Sequence, residues 1–198
     1  MVKLVVNKYH VSIWVDSQII EISINNIGWC IIMSKIYFVL QQIIIFIAFG
    51  SIYYLIEILY DGTSHWAMFV CAGLTGNVAD YLHKFHARMN YIKKAFFITS
   101  VILVLEYVSG YILNIYYQLN IWDYSNMGFN LHGQVCLTFA FIWFFIFSPL
   151  IIWFVAGIRY VIFGERRPLH VWHIYSLFFT EVLGLIGLKV LEPKNLTF

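Results

Sequence analysis

The sequence predicts an all-α, polytopic transmembrane helix bundle of about five spans. Two observations predict it. Of the 198 residues, 62% are hydrophobic and 11% charged; an average soluble domain carries about 25% charged residues, so a water-facing surface could not be covered here. The apolar residues are also gathered into runs near the length of about 20 that a helix needs to cross the hydrocarbon core, where every backbone group must be paired internally. A net charge of +2 leaves no electrostatic footprint for nucleic acid. Cys30, Cys71 and Cys136 lack the spacing of a thiolate metal site or a disulfide framework.

Residues 1–32 differ from the rest. VSIWV and EISIN alternate apolar and polar residues with period two, the pattern of a short hairpin around Asp16–Ser17. Met33-Ser34-Lys35 would make a sensible protein start. Residues 1–32 are therefore read either as a small cytoplasmic extension or as an overextended gene start, and 33–198 as the transmembrane domain.

The first span, Ile36–Tyr60, is cleanly apolar. The second, Trp66–Phe85, begins as WAMFVCAGL and then admits Asn77, Asp80 and Lys84, the last two an i,i+4 pair. The third, Ala95–Gln118, is interrupted by Glu106. The fourth, Val135–Gly164, is long enough to cross with tilt and carries Pro149, which should kink it. A fifth, Val171–Leu191, gathers His170, His173, Ser176, Thr180, Glu181, Gly184 and Gly187 on one arc. An interfacial helix would carry Lys or Arg on that arc, whereas small residues on one stripe suit packing inside a bundle, so a spanning helix is favoured.

Lys and Arg choose the sides. Lys35, the 84–94 segment and the 159–167 segment hold them, while Asp61–His65 and Leu119–Gln134 hold none. The positive-inside rule places loops 86–94 and 165–170 in the cytoplasm and loops 61–65 and 119–134 outside.

Glu106 is the most informative residue. It lies about 18 Å from the outer end of its expected span, and a carboxylate at such depth must face the bundle or a wet cavity. Thr99, Glu106, Gly110 and Asn114 share one helical face, with Gly110 small enough to admit a neighbouring helix between two hydrogen-bonding side chains. Two readings follow: an interhelical clamp, which the stripe favours, or a substrate or proton site. Glu57, near the outer end of the first span beside Tyr53, Tyr54 and Tyr60, reads as snorkelling to the interface. Glu181 has a depth like that of Glu106.

Among the histidines, Asp80, His83 and His86 rotate about 240° around a helix from first to last and do not converge on a metal. His170 and His173 share a face without a third ligand, and His65 and His132 could meet outside, near Asp61 and Asp123. No metal site, cofactor or catalytic residue is assigned. GxxxxGK[ST], HExxH and GxSxG are absent.

The second outer loop holds the most distinctive words, Trp122-Asp123-Tyr124-Ser125 and then Phe129-Asn130-Leu131-His132-Gly133-Gln134-Val135-Cys136-Leu137. Asp123 and Ser125 suit a turn, and Gly128 and Gly133 permit positive φ. Together with Glu106-x3-Gly110-x3-Asn114, Trp143, and Glu57 in YYLIEILYDGTSHWAMF with its His65-Trp66, this pattern resembles the type IV ABC-transporter permease family, small membrane proteins of Gram-positive bacteria. The resemblance covers roughly residues 36–155. It implies a transport-associated permease-like subunit of the bacterial cytoplasmic membrane, working with a separate ATP-binding subunit or as a homo-oligomer. The rival reading is a structural, sensory or accessory membrane protein whose buried carboxylates are packing clamps. An intramembrane enzyme using Glu106, Asp123 and His132 as acid–base groups is a third and lesser class.

The topology is directly testable. Cysteine introduced at Ser64 or Ser125, in a background lacking the native cysteines, should react with a membrane-impermeant thiol reagent in intact cells, and cysteine at Asn90 only after lysis. Labelling of position 90 from outside would overturn the orientation.

Overall fold

The structure is a computed structural model. It describes the backbone of residues 3–6, 10–15 and 18–187, and side chains from Trp29 to Gly187 apart from Asp61. The chain divides into two compact units, Met1–Ile44 and Ile45–Phe198. In the first, β1 (Lys3–Val6), β2 (His10–Val15) and β3 (Gln18–Ser23) form an antiparallel sheet in the order β1-β2-β3. Val15 pairs with Gln18, as in a hairpin connected through 16–17; Asp16 and Ser17 themselves lie outside the described residues. Helix α1 (Ile24–Asp61) follows without a break, so the helix begins well before Met33.

The second unit is a membrane helix bundle. It contains the outer part of α1, then α2 (Trp66–Phe85) and α3 (Tyr91–Gly110), which continues as a π-helical turn over Tyr111–Tyr116. A minimal hairpin follows, β4 (Asn130–Leu131) with β5 (Val135–Cys136). A long rod comes next: α4 (Leu137–Ile142), a π turn over Trp143–Phe147, and α5 (Ser148–Phe163). Helix α6 (Val171–Leu185) ends the described chain. Trp29–Tyr60, Tyr91–Tyr116 and Leu137–Phe163 are long and apolar enough to cross a membrane. Many of their large apolar side chains face outward, Leu59, Val104 and Val161 among them, as lipid-facing helices require. Helix α2 has the length, but its inner half is polar.

Pro149 does not interrupt the rod sharply. It stands at the start of α5, directly after the π turn. A proline removes one N–H and crowds the carbonyl four residues earlier; the wider π turn accommodates both within a continuous rod.

The core forms where α1, α2, α3 and α5 meet, around Ile45, Phe49, Ala79, Leu82, Ile98, Ile102, Ile152 and Val155. Close approach of α1 to α2 depends on glycine: a Cβ on Gly73 would stand 2.6 Å from the Phe46 ring, and one on Gly76 2.5 Å from that of Phe49. The Thr99 and Ser148 hydroxyls, 2.9 Å apart and buried, join α3 to α5.

Toward the end of the bundle that carries the α2–α3 turn, Arg159 is 1% exposed and Asp80 fully buried. Arg159 Nη1 donates to Asp80 Oδ1 at 2.7 Å and its Nη2 to Glu165 Oε1 at 2.5 Å. The Asp80–Lys84 pair expected from spacing therefore omits the main partner of Asp80, which is distant in sequence and buried against it. The Arg159 guanidinium in turn holds the Glu165 carboxyl below the usual carboxylate range.

Helix α6, at 15 residues, rises only about 22 Å against a hydrocarbon core of about 30 Å. Tyr175 Oη donates to the Ile146 carbonyl, within the rod. Phe178 is buried against the rings of Phe144 and Phe145. Glu181 Oε2 then accepts from the Ile92 amide at 2.8 Å, in the first turn of α3. The helix thus lies across α5 and α3, and Glu181 satisfies an orphan donor at a helix N-terminus. Glu181, likened to Glu106 in depth, thus has a backbone amide as its partner where Glu106 has an indole. Residues 188–191 of the expected fifth span lie outside the described residues.

Two glycines separate tight packing from open space. Gly76→Ala should lower bundle stability by about 1–3 kcal/mol, as overpacked cores do. Gly157→Ala, with nothing within 4 Å of its Cβ position, should instead be neutral or stabilise by up to about 1 kcal/mol. Thermal unfolding in detergent reads both; equal midpoints for the two variants would contradict the α1–α2 packing.

Candidate functional site

The outer loop is built around one buried amide. Asn114, in the π turn that ends α3, accepts from the Ile121 amide at 2.7 Å through Oδ1. Its Nδ2 donates to the Trp122 carbonyl at 2.9 Å and to Gln134 Oε1 at 2.8 Å. Gln134 Nε2 donates to the His132 carbonyl at 3.0 Å, and the Trp122 indole to the Gln134 carbonyl at 3.1 Å. Asn114 and Gln134 are 8% and 4% exposed. Each uses its polar atoms within this network, as buried amides must. They are architecture rather than reactive groups.

Gly110 makes the loop's approach possible, and here the structure corrects the sequence reading. The atoms nearest a Cβ at Gly110 are Gln134 Oε1 and the Trp122 ring, both from the loop. Gly110 and Asn114 thus seat the loop, while Thr99 and Glu106 of the same stripe meet Ser148 and Trp143.

The remaining loop residues fold the loop on itself. Asp123 Oδ1 accepts from the Ser125 amide and Oδ2 from the Ser125 hydroxyl, both at 2.8 Å. These bonds hold the exposed Asp123 carboxyl below its ordinary range. Asn130 Nδ2 donates to the Ser125 and Met127 carbonyls, and its Oδ1 accepts from the Gly133 amide at 3.0 Å. The Tyr124 amide donates to the Gly133 carbonyl at 2.7 Å. Gly133 has φ +68° and lies so close to Asp123 that a Cβ would stand 2.6 Å from Oδ1, so glycine is required twice over. The Tyr124 ring stacks on Phe139.

Beneath this loop lies Glu106, 8% exposed. Oε1 accepts from the Trp143 indole N–H at 2.9 Å, a bond from α3 to the first residue of the second π turn. Oε2 is buried and has no hydrogen-bond partner among the described residues. Glu57 is within electrostatic reach of Glu106. Tyr53, Cys71 and Tyr124 are influenced by both carboxylates. Burial, with the nearby Glu106 charge, pushes the Tyr124 phenol up, so it stays a neutral hydroxyl. The Tyr53 ring packs near Trp143. Four helical segments and the loop therefore converge on one pair of carboxylates.

Glu57 is not simply a snorkelling side chain. Ser64 Oγ donates to its Oε2 at 2.5 Å, and Tyr53, one helical turn earlier, lies within its electrostatic reach. Sequence reasoning did not place Glu57 with Glu106, because the two lie far apart in the chain. Tyr53 and Ser64 were missed as partners, although Tyr53 stands one helical turn before Glu57.

His65 and His132 find separate partners. His65 Nδ1 accepts from the Ala67 amide at 3.3 Å as the cap of α2, and its ring packs on the largely exposed Trp66. His132 Nδ1 is 3.0 Å from the Tyr107 hydroxyl. Among the described residues no three His, Cys, Asp or Glu side chains could share a metal. The hydrogen bonds of Asp123 thus go to Ser125 and that of His132 to Tyr107.

The family model described as "Putative ABC-transporter type IV" matches residues 27–188. The match extends past the 36–155 region that carried the resemblance, taking in α1 from residue 27 and all of α6. No curated protein and no solved structure matches the chain.

Proposed function

We propose that this chain, which belongs to the type IV ABC-transporter family over residues 27–188, is a permease-like membrane subunit in which Glu106 meets a proton or a cationic group. The observation that carries the reading is the asymmetry of one carboxylate. Oε1 is held by Trp143 and Oε2 is buried and open, with Glu57 nearby. Inside a bilayer an ionisable group is costly and is kept either by pairing or by function. A second acidic group within electrostatic reach makes the open oxygen more attractive to a cation or a proton. Trp143 fixes the orientation of the carboxylate, and the Asn114-seated loop covers it.

ATP hydrolysis belongs to a separate subunit on this reading, because the sequence has no GxxxxGK[ST] phosphate loop. The loops around 84–94 and 159–167 would face that subunit from the cytoplasmic membrane of a bacterium. A second reading is favoured by the Trp143 bond itself: Glu106 as a clamp between α3 and the α4–α5 rod in a non-transporting accessory protein. An interhelical bond of this kind contributes about 1 kcal/mol, which does not account for the unpartnered oxygen.

Glu106→Gln separates the two. The glutamine carbonyl can still accept from Trp143 but cannot ionise. Melting in detergent should change little, while complementation of a deletion strain should be lost; Glu106→Leu should lose both. A fully active Gln form would leave only the clamp. Affinity purification in mild detergent should bring an ATP-binding subunit in near-equal amount, and its absence would remove the transport reading.

A further inference from the structure

We propose that a basic cavity between the α2–α3 turn and the α5–α6 linker binds the phosphate of an anionic phospholipid, with the acyl chain along its apolar wall. The proposal does not rest on the role of Glu106. The cavity has a volume of about 610 Å³ and is lined by Lys94, Arg166 and Arg167, by His83 and Glu165, and by Ile152, Ala156 and Ile174 among its apolar residues.

Lys94 is 7% exposed, and its Nζ donates to the Ala87 carbonyl at 3.3 Å. Among the described residues, no ion pair includes Lys94, Arg166 or Arg167. Arg159, close by, has two carboxylate partners. Glu165 lines the same cavity, but its Oε1 is bonded to Arg159 and its Oε2 is 3.7 Å from His83. Glu181, which Lys94 senses electrostatically, has one oxygen on the Ile92 amide. The cavity is left with a buried ammonium and two guanidinium groups at its mouth. An ammonium removed from water calls for an anion, and guanidinium forks match phosphate oxygens.

The apolar wall decides between kinds of phosphate. Ile152 is 8% and Ile174 3% exposed, and both line the same space as the cations. A free phosphate would gain nothing from that wall, whereas a lipid uses both parts. The orientation from the Lys and Arg distribution puts the cavity at the cytoplasmic leaflet, where anionic lipids attract basic side chains.

The test is thermal unfolding of the full chain in neutral detergent with phosphatidylglycerol, phosphatidylcholine or inorganic phosphate added. Phosphatidylglycerol should raise the midpoint saturably, and the other two should not. Arg166→Gln with Arg167→Gln changes two exposed side chains outside the Asp80–Arg159 pair. It should keep the midpoint without lipid and weaken phosphatidylglycerol binding by about tenfold or more. Lys94→Met should weaken it too, and the double variant keeps the test intact if Lys94→Met fails to fold. An equal shift with phosphatidylcholine would overturn the proposal as general detergent replacement. An equal shift with inorganic phosphate would overturn it as a free-ion site, and undiminished affinity in the double variant would overturn the assignment of the cavity.

Discussion

Placing the Glu106 carboxylate within the bundle costs on the order of 2.5–3.5 kcal/mol even on the lenient insertion scale, and the outer half of the structure is arranged to meet that demand. Trp143 supplies one hydrogen bond to it from the second π turn. The first π turn carries Asn114, which seats the loop about two turns above. Each π turn shifts the helical phase, so that a side chain reaches a partner an unbroken α-helix would turn away from. Gly110 then lets Trp122 and Gln134 come down against α3. Removal of any one of these parts leaves a buried polar group without its partner, which is dearer than the bond itself is favourable.

The inner half handles charge differently. Arg159 is buried with Asp80 and reaches Glu165, and its guanidinium also faces the Phe163 ring at 5.3 Å. A buried pair of this kind contributes little net stability, yet losing one partner leaves a stranded charge. It locks α2 to α5 and fixes where the α5–α6 linker departs. Paired charge at Arg159 and unpaired charge at Lys94 thus lie on the same side of the bundle. The end that carries the 119–134 loop, by contrast, holds Glu57, Glu106 and Asp123, and the loop has no Lys or Arg. A bundle with buried acidic side chains at one end and a basic cavity at the other has two chemically distinct ends, set by a handful of side chains in an otherwise apolar chain.

Much of this architecture is legible in the sequence, because bilayer physics leaves few options. Apolar runs of the right length give α1, α3 and the α4–α5 rod, and the alternation of VSIWV and EISIN announces the β2–β3 pairing. The single Glu106 in an apolar segment, the Gly110 and Asn114 stripe and the loop words point to the outer site. Tertiary partners are what spacing cannot supply. Asp80 has Lys84 one turn away but bonds Arg159, and Glu57 stands with Glu106 although nothing local says so. Gly110 marks a close approach correctly, yet only coordinates show that a loop rather than a helix fills it. Residues 171–191 likewise form one apolar stretch, of which the described helix α6 covers Val171–Leu185 and packs on α5 and α3.

The central claim is that one carboxylate both ties α3 to the rod and keeps an oxygen open. The tie is tested most directly by a double-mutant cycle on Trp143→Phe and Glu106→Leu, with unfolding free energies measured in mixed micelles. The account predicts that the two changes are not additive, with a coupling of about 1 kcal/mol in favour of the native pair. Strict additivity would show that the indole and the carboxylate do not hold one another.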